Sequence, residues 1–190
     1  MNTEQLNALK DRAYKTAVAH GFHEEVRPDA FWLGLVMSEM GEAINADQKG
    51  RHADTKRFEE NLGKWLFEVS FKVYIKDSLE DELADVVIRL FDFAGLKGYK
   101  LNIDPIDHVF SDNALRAFDD YKLPGILISE NALLTDALKE GELPQYVGTV
   151  ICVLSDCFEK MTGSDKGLWW FVEQKMKYNE LRPKLNGKKY

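Results

Sequence analysis

The chain has 190 residues, 45% hydrophobic and 30% charged, proportions that fit a globular protein and exclude disordered and fibrous classes. Its net charge of −7 excludes a general nucleic-acid binder, which needs a basic face, but a nucleotide substrate stays open because bound divalent metal inverts the local field. With 13 Gly and 5 Pro, long helices are favoured over a turn-rich β fold.

In chain order, residues 2–21 form an amphipathic helix with Leu6, Leu9, Ala13 and Ala17 near one face. HGFHEEVRP is a loop, and Pro28-Asp29 opens a second helix running to about Gly50, with Asp29 as its N-cap. DTKRFEENLGKWLFEVSFKVYIK reads as a helical hairpin arm, or as one helix fading after Val69. A further helix begins at Asp77-Ser78, where Ser78 and Asp81 match a capping box loosely, and ends near Gly95–Gly98. NIDPIDHVFSDNALRAFDDYKLPG is a polar connector with short helical pieces. Residues 126–141, 144–162 and 167–182 are three more helices. No segment alternates as a strand does, so the class is all-α.

No run approaches 18 apolar residues, so no membrane span is expected. The N-terminus, MNTEQLNALKDRAYK, lacks the apolar core of a signal peptide. Cys152 and Cys157 are five apart in an apolar stretch, not a CxxC pair, and read as small hydrophobes in a reducing compartment. The expected localisation is cytoplasmic.

Two segments echo each other. SEMGEAINADQKG (38–50) aligns with SENALLTDALKEG (129–141), and ADVVIRLFDFA (84–94) with GTVICVLSDCF (148–158). In that register Glu39 meets Glu130, while Glu42, Glu82 and Asp85 fall on Leu133, Tyr146 and Thr149. The expectation is one all-α domain over 1–190. Residues 1–100 carry the acidic motif, and 101–190 are a degenerate half plus a basic C-terminal helix.

The acids are the informative feature. With 32 Asp and Glu among 190 residues, roughly five i,i+3 acidic pairs arise by chance, so a lone pair means little. Glu39, however, shares a helical face with Trp32, Leu35, Val36, Ala43 and Ala46, with Glu42 close by on the same side. A carboxylate there faces the core, and an unpaired buried charge costs several kcal/mol. Glu82 and Asp85 form a second i,i+3 pair bordering Leu79, Leu83, Val86, Val87 and Leu90. Packing the two helices together brings four carboxylates to one place and demands a cation. Oxygen-only donors favour Mg²⁺ or Mn²⁺ over zinc. A di-iron bundle would want Glu-x-x-His, and none of His20, His23, His52 or His108 has an acid three residues before it. Phosphoryl chemistry suits such a metal. There is no Gly-rich phosphate loop, but Lys175, Asn179 and Arg182 share one face of the last helix and could grip phosphate.

These residues resemble the ExxE…ExxD signature of the MazG-like all-α nucleoside triphosphate pyrophosphohydrolases. The ending KMKYNELRPKLNGKKY is similar to that family's K-x-x-Y-N-x-x-R-P…G-K tail. The resemblance covers roughly 25–98 and 168–190, and departs in the 39 residues between Glu42 and Glu82, a longer span than is usual in MazG. Dimeric dUTPases have a comparable internal duplication. The resemblance implies a MazG-like helical bundle that hydrolyses a nucleoside triphosphate between the α and β phosphates. It implies Mg²⁺ on Glu39, Glu42, Glu82 and Asp85, with one of the glutamates as general base. Lys175, Asn179 and Arg182 would hold phosphate or sugar, and Tyr178 would lie against the nucleotide. His23 and Trp32 are candidates for the base pocket by their place before the first acidic helix, Trp32 being also a natural core residue. Because the family assembles, a homodimer fits. The alternatives are a non-catalytic helical binding or regulatory module with a structural metal site, or hydrolysis of another pyrophosphate-bearing substrate such as a phosphoribosyl nucleotide.

Overall fold

The computed structural model describes residues 1–103 and 105–184. Among them lie eight helices and no strand. These are α1 (Thr3–Ala19), α2 (Asp29–Gln48), α3 (Thr55–Asn61), α4 (Phe67–Tyr74), α5 (Leu79–Lys97), α6 (Pro105–Glu140), α7 (Leu143–Thr162) and α8 (Leu168–Glu180). The all-α expectation holds. Among the described residues, no helix is long and apolar enough to cross a membrane.

The centre of the bundle is α5. Leu79, Leu83, Val86, Val87, Leu90 and Ala94 are wholly inaccessible, and α1, α2, α7 and α8 all pack on it. Ser78 caps it by accepting from the Asp81 amide, and Gly98 closes it in the left-handed conformation that suits glycine. Antiparallel packing of α2 on α5 is fixed by two ion pairs, Arg89–Glu39 at 2.9 Å and Lys97–Asp29 at 3.0 Å. α1 starts with a true capping box between Asn2 and Gln5. It reaches α5 closely because Gly95 lacks a side chain: a Cβ there would stand 2.4 Å from Tyr14 Cβ.

Two expectations need correction, and one open alternative is decided. Asp29 does not cap α2; the N-cap is Pro28, with no side-chain bond, and Asp29 instead holds Lys97 across to α5. The 54–76 segment takes the hairpin form: α3 and α4 fold back, with the Asp54 amide donating to the Tyr74 carbonyl. Phe58 and Phe71 from this hairpin are fully buried and meet Trp170 and Tyr178 of α8, the second pair stacked at 4.5 Å. The polar connector after residue 101 is in fact largely helix. α6 runs from Pro105, is interrupted at Lys122 (φ 52°) just before Pro124, and continues to Glu140. Its inward positions include Asp107 and Ser111, both buried, so the helical period was masked by polar residues at core sites.

Cys152 and Cys157 are buried free thiols, as expected. Glu130 on α6 is buried, and its Oε2 has no hydrogen-bond partner among the described residues. Burial pushes its carboxyl up to about 7 from an ordinary 4.5. The folded chain therefore binds this proton more tightly than the unfolded chain. Stability is lost as pH rises from about 4.5 to about 7, by up to roughly 3 kcal/mol. Glu130→Gln is expected to raise stability toward urea at pH 8 by up to about that amount, with the gain vanishing near pH 4; equal effects at both pH values would contradict the assignment.

Candidate metal centre at the α2–α5 seam

Glu39 and Glu42 from α2 and Glu82 from α5 converge, each offering an oxygen within 4.8 Å of the others. Glu39 and Glu82 are buried and Glu42 is exposed, so the cluster lies at the bundle surface with its base in the core. Glu39 is balanced by Arg89. Among the described residues, Glu42 and Glu82 have no ion pair. Burial, with Asp85 beside it, pushes Glu82 up to about 8 against the pull of Lys175, the expected response of a desolvated carboxyl among like charges.

Asp85, the fourth predicted ligand, lies near Glu82 but outside the trio, paired with a lysine. Lys175 Nζ on α8 lies 2.7 Å from the Oδ2 atoms of both Asp81 and Asp85. Lys175 and Asp81 are almost inaccessible. Lys175 is held charged by the two carboxylates, and burial pushes Asp81 up to about 6 against the pull of that lysine. Asp81 also accepts from the Asp77 amide, and its Oδ1 is buried without a partner among the described residues. A second group, Asp77, Asp81 and Glu82, again has oxygens within 4.8 Å of one another, so Glu82 belongs to both. The first-turn acids Glu80, Asp81 and Glu82 stand at the N-terminus of α5, where the helix dipole favours negative charge.

Asp81 is the site residue that sequence reasoning passed over. It appeared only as the partner of Ser78. Its i,i+4 relation to Asp85 on a helix of apolar neighbours was the available signal.

Beside the carboxylates is a cavity of about 60 Å³ between α1, α2, α5 and α8, bordered by Glu39, Asp85, Arg89, Asp92, Asn179 and Arg182. That is room for a few waters, well under the roughly 300 Å³ of a small-molecule site. Asn179 and Arg182 therefore stand beside the acids as expected, and Asn179 Oδ1 is buried with no hydrogen-bond partner among the described residues. Lys175 does not border the cavity; it is spent on Asp81 and Asp85. Tyr178 is also elsewhere, buried flat against Phe71. His23 bonds Asp92 Oδ1 at 2.7 Å and packs tilted against Trp32, ring centres 4.7 Å apart. The two are together, but Trp32 is core and His23 reaches the cavity wall only through Asp92. The Gly187-Lys188 end of the tail motif lies outside the described residues.

The donor set fits a hard divalent ion. The three converging donors are carboxylates with oxygens within 4.8 Å of one another; in an octahedral Mg²⁺ shell adjacent oxygens stand about 2.9 Å apart and opposite ones about 4.2 Å, so the carboxylates would draw in on binding. Compared with known proteins, the chain matches no family model, no curated protein and no solved structure.

Two outcomes are expected from this charge arrangement. In chelator, Glu82→Gln melts higher than wild type because it relieves repulsion, yet it gains less from added Mg²⁺, which binds only the folded carboxylates; thermal melting with and without the ion reads both effects. Lys175→Met strands the buried Asp81 and the half-buried Asp85 and should cost about 3–5 kcal/mol in urea denaturation, largely recovered by adding Asp81→Asn. Full retention of stability in the single variant would contradict the clamp.

Proposed function

We propose that the chain is a Mg²⁺-dependent nucleoside triphosphate pyrophosphohydrolase of MazG-like type, with Mn²⁺ as a substitute ion. It would act at the Pα–O–Pβ bridge: a water oxygen bonds to phosphorus, the bridging P–O bond breaks, and a nucleoside monophosphate and pyrophosphate result. The observation that carries this reading is the convergence of Glu39, Glu42 and Glu82 from two packed helices, two of them without a counter-ion among the described residues.

Glu39, Glu42 and Glu82 would hold the ion, with Asp85 beside them. When bound, Mg²⁺ neutralises triphosphate oxygens and lowers the pKa of a coordinated water. One of the glutamates takes the water's proton as general base. Arg89 orients Glu39 through its 2.9 Å bond. Asn179 and Arg182, bordering the adjoining cavity, are the side chains placed to bind phosphate or sugar, with a substrate lying across the cavity mouth. Lys175 positions Asp85 rather than touching phosphate.

A second reading, a non-catalytic module with a structural metal site, is favoured by that same clamp, because a lysine already satisfies one of the four predicted ligands.

Product analysis over a panel of canonical and modified nucleoside triphosphates, with Mg²⁺ or EDTA, separates the two. The expected result is metal-dependent release of pyrophosphate and monophosphate, cut on the order of a hundredfold or more by Glu39→Gln or Glu82→Gln. Release of orthophosphate alone would move the chemistry to the γ position and overturn the proposal. Absence of any turnover would favour the binding module.

A further inference from the structure

A second cluster of metal-ligating side chains lies in the other half of the chain, between α6 and α7. Cys152 and Asp156 are i,i+4 on α7 and so share one face. His108 approaches them from α6. His108 Nδ1 stands 2.7 Å from Asp156 Oδ2 and 3.6 Å from Cys152 Sγ, and Cys152 Sγ is 3.4 Å from the same Asp156 oxygen. The three donor atoms thus form one small triangle.

An ion pair on the surface accounts for His108 and Asp156 alone, at 59% and 32% side-chain exposure, and such a pair contributes little. At the third corner the buried Cys152 thiol donates to the same Asp156 oxygen. The three donors together also suit a tetrahedral Zn²⁺ site. With Zn–S near 2.3 Å and Zn–N or Zn–O near 2.0 Å, the S···N and S···O edges are about 3.5 Å and the N···O edge about 3.3 Å. Two of the three edges already match, and the third opens by moving an exposed imidazole. We propose that His108, Cys152 and Asp156 form a binding site for a borderline-soft divalent transition ion, Zn²⁺ by donor chemistry, distinct from the oxygen-only centre on α2 and α5.

The mixed N, S and O donor set is what separates the two centres. Thiolate and imidazole select zinc-like ions, whereas carboxylates alone suit Mg²⁺. Three protein donors leave a fourth position for water, the open form of zinc site rather than the closed structural form. Exposure of His108 and Asp156 supplies the entry path. Binding forms a metal–sulfur bond and releases the thiol proton to solvent. The triangle is braced from behind: Ser111 Oγ lies 3.7 Å from Cys152 Sγ, and Thr149 donates to Asp107 at 2.6 Å, tying α6 to α7 on either side.

The test uses the full chain, stripped with chelator and titrated with Co²⁺ as a spectroscopic probe, then with Zn²⁺ as competitor. The expected result is a thiolate-to-cobalt charge-transfer band that Zn²⁺ abolishes. It should be absent from Cys152→Ser and retained by Cys157→Ser and Glu82→Gln. His108→Ala, a change at an exposed ring that the fold tolerates, should weaken Co²⁺ binding by roughly tenfold or more. This last arm decides the matter even if Cys152→Ser fails to fold. No thiolate band, a band that survives Cys152→Ser, or unchanged affinity in His108→Ala would each overturn the proposal.

Discussion

Excess negative charge along the α2–α5 seam is the constraint around which the rest is arranged. Glu39, Glu42, Glu82, Asp81 and Asp85 stand where two helices meet, and two cations, Arg89 and Lys175, answer them. An unpaired buried charge is too costly to persist, so each acid with a partner is tied to a particular helix. Arg89 fixes Glu39 within the α2–α5 pair. Lys175 draws α8 onto the start of α5, and Phe71 and Tyr178 then carry the α3–α4 hairpin onto α8. Glu42 and Glu82 are left over, and they are the pair a cation would satisfy.

Much of the fold was legible because α1, α2, α5, α7 and α8 keep apolar residues at helical spacing with clear stops, as at Gly98 and Gly163. What could not be read has one physical cause. Where a helix buries polar side chains, the hydrophobic period disappears, and the connector that became the first part of α6 hides behind Asp107 and Ser111. Pro124 marked the interruption truthfully, but the chain resumes as helix beyond it.

The site was legible in part for a similar reason. Glu39, Glu42 and Glu82 could be brought together from spacing alone, because helical period fixes which face a residue takes. Which acid a lysine ninety residues on would claim could not be read, since that depends on how α8 crosses α5. Hence Asp85 was assigned to the metal while Asp81, its equal partner under Lys175, went unremarked. Tyr178 fell to the core for the same reason: the hairpin could be read, but not that Phe71 on it packs flat against Tyr178.

The two halves of the chain differ in the chemistry they keep. The first concentrates carboxylate oxygen. In the register of the sequence echo, Glu42, Glu82 and Asp85 fall on Leu133, Tyr146 and Thr149, and Glu39 falls on Glu130, which is buried. A histidine, a thiol and an aspartate gather nearby on α6 and α7.

The most direct test of the seam as a hard-metal centre is anomalous diffraction from crystals grown with Mn²⁺ and a non-hydrolysable nucleoside triphosphate analogue bridged at the α–β position. The account predicts a manganese peak among Glu39, Glu42 and Glu82, with the triphosphate reaching it past Asn179 and Arg182. A seam without manganese, its carboxylates bridged by protein cations alone, would contradict it.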